Sequence, residues 1–366
     1  MRLRLLAVSL VVFALSTGIG FSQTFTGTLD GYYSYNFNKP NFGIPLQRTN
    51  DFRAFDTRDQ SFSLNYGEIA VEYKPNNVGV HADIGFGDAA DIVHAAEPGG
   101  QNLWRHIQQA YITATQDKFT LDFGKFVTPI GAEVIETKDN WNYTRGLLFT
   151  WAIPFYHFGG RATYAVNDKV SLAGYVVNGW NNVRDNNTAK SVGFVGTFKP
   201  SSKWTLVTNL LVGKEVGDNS RTLLDGILTF NANKNISLMA NYDFGKDYGP
   251  NLLPGVRGPE ADWQGIAGYF KAKVSDKFTF SSRYEWFDDR IGFMTGGTPQ
   301  ELQSFTVTGM FPWKDMTFWT EYRRDWSDAN TFHSSSPGVF APVQTLTDHQ
   351  NTITLGLTYA FTKEVK

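Results

Sequence analysis

The sequence contains no cysteine among its 366 residues. This absence excludes disulfide bonds and a lipid anchor attached to cysteine. After residue 23, no apolar run approaches the roughly 20 residues that a membrane-spanning helix needs, so such a helix is excluded as well. If the chain crosses a membrane, it must do so as a closed β-barrel, because only closure pairs every backbone polar group in lipid.

The chain also lacks a surplus of charge and a catalytic motif. Its 33 basic and 35 acidic residues leave a net charge of −2, so we expect no nucleic-acid partner. Neither G-x-S-x-G nor H-E-x-x-H occurs, and the six histidines are scattered without metal-ligand spacing. We therefore predict no catalytic residue, no cofactor and no metal site, and we expect that the protein is not an enzyme.

The N-terminus has the three parts of a secretory signal peptide. Arg2 and Arg4 precede an apolar stretch over residues 5–15, and small residues follow at Ser16, Gly18 and Gly20. We predict that residues 1–23 are a signal peptide and that residues 24–366 form a single barrel domain.

From residue 24 onward, segments of alternating polarity are joined by short turns and longer loops. The short polar turns lie near residues 75–77, 116–118, 166–169, 200–202, 233–235, 275–277 and 312–315. The longer connections lie near residues 38–60, 88–101, 128–156, 180–188, 214–220, 245–261, 288–299 and 327–350. Hairpins with such turns predict about 16 strands, with 14 or 18 as alternatives.

The alternation of short turns with long loops is typical of outer-membrane barrels. We therefore predict an all-β fold, a transmembrane antiparallel up-and-down β-barrel with short periplasmic turns and longer extracellular loops. The expected location is the bacterial outer membrane.

Charged side chains occupy only one face of the clearest strands. Arg283 and Glu285 share a face with Thr279, whereas Tyr284 and Trp286 lie on the opposite face. A basic residue facing lipid at the bilayer midplane would cost about 2 to 4 kcal/mol, so the charged face should line an aqueous lumen. In a soluble sandwich the same face would be the outside, but a barrel of this width is too wide for its own side chains to fill. The predicted pore-lining residues are His81, Asp83, Asp122, Arg161, Asp225, Asp243, Arg283, Glu285, Glu321 and Arg323.

The last strand-like stretch, residues 354–361, resembles the C-terminal assembly signal of outer-membrane barrels. Its marker residues are Gly356, Tyr359 and Phe361. Five residues follow Phe361, whereas the aromatic residue usually ends the chain in this pattern. The alternative is an ordinary terminal strand of a soluble sandwich.

Longer motifs resemble those of the beta-barrel porin-2 (OmpL-like) family. They are Gly31-Tyr32-Tyr33-Ser34-Tyr35-Asn36-Phe37-Asn38-Lys39-Pro40, Arg53-Ala54-Phe55-Asp56, Phe62-Ser63-Leu64-Asn65, the stretch from Gly124 to Glu133, Pro154-Phe155 and Gly159-Gly160-Arg161. The central stretch is also similar to the phosphate-selective porins. The resemblance implies an outer-membrane pore and identifies no solute.

The connection at residues 128–156 is the longest and the least polar. An exposed loop this apolar would be a liability, so we predict that it folds into the barrel and narrows the pore. The charged residues expected at this constriction are Glu133, Glu136, Lys138, Asp139 and Arg145. The alternative is a strand extension above the membrane with self-packed aromatic residues.

These features favour a porin that allows passive diffusion of small hydrophilic solutes or ions. The alternatives are a barrel that acts as an adhesin or receptor and, less favoured, a barrel lipase. The expected partners are outer-membrane lipid, the barrel-assembly machinery and small hydrophilic solutes, and the choice between monomer and homotrimer stays open. A pore conducts ions, a lipase cleaves a chromogenic ester, and an adhesin does neither.

Overall fold

The structure, a computed structural model, describes residues 23–40, 48–74, 76–97, 104–215, 219–249, 251–253, 256–257, 260–336 and 343–365. The first strand begins at Gln23, one residue before the predicted start of the barrel. The rest of the predicted signal peptide, residues 1–22, lies outside the described residues.

Strands dominate the described residues, and their bounds follow in chain order. They are β1 (Gln23–Asn36), β2 (Phe62–Tyr73), β3 (Val78–Phe86), β4 (Ile107–Gln116), β5 (Phe119–Val127), β6 (Tyr156–Asn167), β7 (Val170–Val177), β8 (Ser191–Ser201), β9 (Trp204–Lys214), β10 (Ser220–Asn231), β11 (Ile236–Asp247), β12 (Asn251–Leu253), β13 (Val256–Arg257), β14 (Ala261–Ser275), β15 (Phe278–Asp289), β16 (Gln300–Trp313), β17 (Met316–Ser327), β18 (Phe332–Ser336), β19 (Val343–Thr347) and β20 (His349–Val365).

Sixteen of these strands form one closed antiparallel barrel in the order β1 to β11, β14 to β17 and β20. Strand β20 pairs with both β17 and β1, which closes the barrel. The predicted 16-strand barrel is confirmed, and the alternatives of 14 and 18 strands are wrong. Every predicted short turn falls between two barrel strands, and the long connections alternate with them.

Two small hairpins, β12–β13 and β18–β19, lie within long connections. Helical turns occur at α1 (Asp88–Val93), at the 3₁₀ turns Trp104–His106 and Thr137–Asp139, and at the π turn Leu148–Ala152. The described residues contain no helix that is long and apolar enough to cross a membrane.

Strand alternation separates an apolar outer face from a polar inner face, as predicted. On β17, Phe318 and Tyr322 are 43% and 38% exposed, whereas Glu321 and Arg323 are 3% and 1% exposed. Successive side chains of a strand point to opposite faces, so the exposed set faces lipid and the charged set faces the barrel interior. The same division holds on β9, β11 and β15.

The sequence pattern does not predict helix α1. It begins directly after Gly87, whose φ of 108° is a conformation that favours glycine. Its apolar residues Ala89, Ala90 and Val93 are buried. Six helical residues are too few to show a helical period in a sequence.

The last strand continues past the predicted assembly signal. Thr362 to Val365 pair with Thr26 to Gln23 of β1, so these four residues after Phe361 extend the sheet. Phe361 lies opposite Gly27, and its ring occupies the space that a side chain at Gly27 would need. The pairing of β20 with β1 therefore continues beyond Phe361.

The barrel interior is filled unevenly along its axis. On the inner face of β14, Trp263 near the long loops is fully buried, whereas Lys271 and Lys273 near the short turns are partly and largely exposed. Phe55 and Leu148, which lie in long connections, belong to the same buried apolar cluster as Trp263. Residues from the loops, rather than strand side chains alone, thus fill the end of the barrel near the long loops.

Candidate functional site

Residues 128–155, here called the crossing segment, join β5 to β6. In the closed order of the barrel, β15 and β16 lie diametrically opposite this pair. Asn142 Nδ2 donates to Thr308 Oγ1 on β16 at 2.7 Å, and Ser281 Oγ on β15 donates to the carbonyl of Trp141. The segment therefore reaches the wall opposite to its own ends.

A buried ion pair joins the crossing segment to β15. Arg283 Nη1 lies 2.5 Å from Glu133 Oε1, and Arg283 Nε lies 2.8 Å from Glu285 Oε2. Burial raises the pKa of Glu133, whereas the Arg283 guanidinium opposes this rise. The predicted pore-lining residues Arg283 and Glu285 and the predicted constriction residue Glu133 are thus brought together in one buried cluster.

Strand β17 holds the middle of the crossing segment through two charged side chains. The Glu321 carboxylate accepts from the backbone N–H of Tyr143 at 2.7 Å and from that of Thr144 at 3.1 Å. Arg323 Nη1 donates to the carbonyl of Arg145 at 2.6 Å. Both predicted pore-lining residues therefore bind the backbone of the segment.

A glycine of the predicted assembly signal has a second contact inside the barrel. Any side chain at Gly356 on β20 would overlap the ring of Tyr143. The Tyr143 hydroxyl then donates to Asp30 Oδ1 on β1 at 2.6 Å. The absence of a side chain at Gly356 thus permits close approach of the segment to the β20–β1 wall.

Four predicted pore-lining residues form two side-chain pairs along the wall from β3 to β6, and the pair of Arg161 and Asp122 is an ion pair. His81 Nε2 lies 2.8 Å from Asp83 Oδ1, and Arg161 Nη2 lies 2.8 Å from Asp122 Oδ2. The side chains of His81 and Arg161 keep 19% and 23% of their surface exposed. Loop residues therefore cover this part of the inner wall less completely than the wall around Arg283.

The remaining predicted pore-lining pair lies on β10 and β11. Asp225 and Asp243 are register partners, and both are buried. Asn241 Nδ2 donates to Asp225 Oδ2 at 2.6 Å, and Asn241 Oδ1 accepts from the backbone N–H of Ala132 at 3.1 Å. This polar group therefore touches the start of the crossing segment.

The other predicted constriction charges differ in their surroundings. Arg145 is buried and donates to the backbone carbonyls of Val134, Ile135 and Tyr143, so it shapes the segment itself. The carbonyl of Glu136 accepts from Asn140 Nδ2. Lys138 and Asp139 form an ion pair of 2.5 Å with partly exposed side chains. Of the five charged residues, Asp139 is exposed, Glu136 and Lys138 are half-buried, and Glu133 and Arg145 are buried.

The first long connection, between β1 and β2, contributes side chains to the barrel interior that the sequence did not predict. Arg53 binds Asp325 on β17 at 2.7 Å and Asp56 at 2.6 Å, and all three side chains are buried. Phe55 packs edge-on against Phe149 of the crossing segment, with 5.5 Å between ring centroids. The motif Arg53-Ala54-Phe55-Asp56 could have suggested this role, since it combines charge with an aromatic residue inside a loop.

A second missed group anchors helix α1 in the barrel. Lys125 Nζ contacts His94 Nε2 and stands 4.2 Å from the centroid of the Tyr156 ring. Burial and the adjacent Lys125 lower the pKa of His94 to about 3, so its ring stays neutral and accepts this hydrogen bond. Tyr156 in turn donates to Glu97 Oε2 at 2.6 Å.

Within the described residues, no group of three or more histidine, aspartate or glutamate side chains is arranged to hold a metal ion. Interior charges such as Glu321 and Arg323 bind the backbone of the crossing segment.

A closed 16-strand barrel with an apolar lipid-facing surface and charges such as Arg283, Glu285 and Glu321 on its inner face defines a porin-type barrel of the bacterial outer membrane. A family model described as "Putative beta-barrel porin-2, OmpL-like" matches residues 22–361. The chain belongs to this family, as its motifs predicted. No curated protein matches the chain in sequence.

Solved structures of porins share the fold at low sequence identity. A trimer form of the outer-membrane protein OmpT of Vibrio cholerae is 12% identical with a TM-score of 0.60, covering 93% of this chain and 100% of that chain. An anion-selective porin from Comamonas acidovorans is 10% identical with a TM-score of 0.60, covering 93% and 100%. Salmonella typhi OmpF in complex with daunomycin is 14% identical with a TM-score of 0.59, covering 93% and 98%.

Proposed function

We propose that the protein is a passive diffusion porin for small hydrophilic solutes or ions, and that the crossing segment narrows its water-filled bore. The observation that carries this proposal is the crossing segment itself. It leaves the wall at β5, meets β15 and β16 on the opposite side and returns to β6. A segment in this position reduces the cross-section open to solutes.

The charged inner wall supports a preference among solutes. His81 and Arg161 are the partly exposed members of the two pairs with Asp83 and Asp122 on β3 to β6. Lys271 lies on β14, across the barrel from them. Fixed charges at a constriction select permeating ions by their sign. The residues that line the open path in this proposal are therefore those of the less covered wall, whereas Arg283, Glu285, Glu321 and Arg323 hold the segment.

Swelling of proteoliposomes tests solute passage. Liposomes that contain the refolded barrel and are diluted into isotonic arabinose are expected to swell at once, and swelling should slow with disaccharides and trisaccharides because the bore is narrowed. Liposomes with heat-denatured protein serve as the control. Swelling no faster than in that control would refute the porin proposal.

We also propose a homotrimer as the assembly in the membrane. The support is the trimer form of the Vibrio cholerae relative in fold and an apolar groove of about 830 Å³ on the outer surface of β17, β20, β1 and β2. Chemical cross-linking in native membranes should yield a species of three times the chain mass. A monomer as the largest cross-linked species would contradict the trimer.

A further inference from the structure

A cavity of about 570 Å³ lies between the tip of the crossing segment and the inner wall near the short turns. Its lining includes Lys138 and Trp141 from the segment, Lys234 from the β10–β11 turn, Lys271 from β14 and Trp319 from β17. This volume is within the range of small-molecule sites in proteins. Its position places it at the periplasmic end of the proposed solute path.

The lining of this cavity carries an excess of positive charge. Lys138, Lys234, Lys271 and Lys273 are opposed by one carboxylate of the lining, Asp139. Asp139 pairs with Lys138, and Lys273 pairs with the turn residue Asp276. Within the part of the chain that the structure describes, Lys234 and Lys271 form no ion pair. The cavity lining therefore includes two lysines, Lys234 and Lys271, that have no carboxylate partner among the described residues.

Lys271 is held by an aromatic ring rather than by a carboxylate. Its Nζ lies 4.4 Å from the centroid of the Trp141 ring, and its side chain is only partly exposed. A cation–π contact positions an ammonium group without neutralising it. The charge of Lys271 thus remains available to an anion at this point of the wall.

The rest of the lining offers hydroxyl groups and apolar ring surface. Ser237, Thr279 and Thr317 contribute hydroxyl groups, which can both donate and accept hydrogen bonds. Trp141 and Trp319 contribute apolar surface. A ligand that fits this combination carries a negative charge, several hydroxyl groups and an apolar C–H face.

We propose that this cavity is a binding site for small polyhydroxy carboxylates, such as sugar acids. The proposal rests on the proposed porin function and names a solute class for it. Lys271 and Lys234 bind the carboxylate, and the hydroxyl groups and indole rings contact the remainder of the solute. Binding is weak, since a solute that passes through a channel must also leave its site.

Direct binding is measured on the detergent-solubilised full-length barrel by saturation-transfer NMR with D-gluconate, with D-glucose as the neutral probe at the same ionic strength. We expect a saturable signal for gluconate and a much weaker one for glucose. Lys271→Gln removes a charge-assisted hydrogen bond, so gluconate affinity should fall roughly tenfold. Lys203→Gln is the matched control, because Lys203 is exposed in the β8–β9 turn and is not part of the cavity lining.

Absence of a gluconate signal in the wild type, or equal affinity in the wild type and Lys271→Gln, would overturn the site. Correct folding of each variant is checked by its heat-dependent gel mobility. The NMR experiment does not require conduction, so the two proposals can fail separately. A barrel that binds gluconate but passes no solute would refute the porin function and support the binding site. A barrel that conducts but does not bind gluconate would support the porin function and refute the binding site.

Discussion

Arg283→Gln should raise the single-channel conductance of the barrel by loosening the crossing segment. The substitution leaves Glu133 and Glu285 as buried carboxylates without their common cation. Breaking a buried ion pair in this way costs about 3 to 5 kcal/mol. That cost changes the equilibrium between the docked and released segment by a factor on the order of 100 or more. Planar-bilayer recordings are expected to show larger and noisier openings.

Arg161→Gln is the matched control for this experiment. It also removes one inward guanidinium, but the partner of Arg161 is Asp122 on the neighbouring strand β5 rather than a residue of the crossing segment. This variant should alter ion preference and leave the size of the openings near that of the wild type. Equal conductance changes in both variants would show that charge, not release of the segment, controls the current.

A larger change removes most of the segment. Replacement of residues 134–150 by a short Gly/Ser linker deletes Tyr143 and Arg145 and their contacts with Asp30, Glu321 and Arg323. Conductance should rise in this variant too, and the rise should exceed that of Arg283→Gln. Unchanged conductance in the deletion variant would refute a constriction by this segment.

Phe361→Ala should strongly reduce the amount of protein in the outer membrane. Phe361 is 41% exposed on the lipid face, and its ring covers Gly27 and lies 6.0 Å from the Tyr359 ring. If the aromatic residue is an assembly signal, the variant should accumulate in the periplasm or be degraded, yet refold normally in detergent. Fractionation of cells followed by immunoblotting measures this.

Val365→Ala is the control on the same strand, since Val365 is also exposed and lies beyond the signal. It should reach wild-type levels. If Phe361→Ala also fails to refold in detergent, the loss reflects packing against Gly27 rather than recognition. Wild-type amounts of Phe361→Ala in the outer membrane would show that this residue is not the signal.

The strands that form the wall of the barrel could be predicted from the sequence. Period-two alternation with lipid on one side is a local pattern, so the strands, the turns and the outward side chains such as Phe318 could be predicted. The predicted inward charges of β15 and β17 also lie on the inner face. The alternation pattern does not indicate which residue each charged side chain binds.

Those partners lie far apart along the chain. Glu133 and Arg283 are separated by 150 residues, and Tyr143 and Asp30 by 113. No local periodicity reports such contacts, because they depend on how a loop lies inside a closed sheet. For the same reason the sequence did not predict the ion pairs of Arg53. It also did not predict the contact of Tyr143 with Gly356.

The location of the charges changes the expected effect of a substitution at Arg283. From sequence, reversal to glutamate should shift ion preference toward cations. In the structure, Arg283→Glu would place a third carboxylate beside Glu133 and Glu285, so release of the segment should dominate the result. Selectivity is better tested at Arg161 and Lys271, which are less buried.

Single-channel recording of the purified wild-type barrel in a planar lipid bilayer shows whether the protein forms an open pore. We expect stepwise insertion of channels with a stable, ohmic conductance that is below that of the variant lacking residues 134–150. Insertion of correctly folded, heat-modifiable protein without any conductance would contradict a porin.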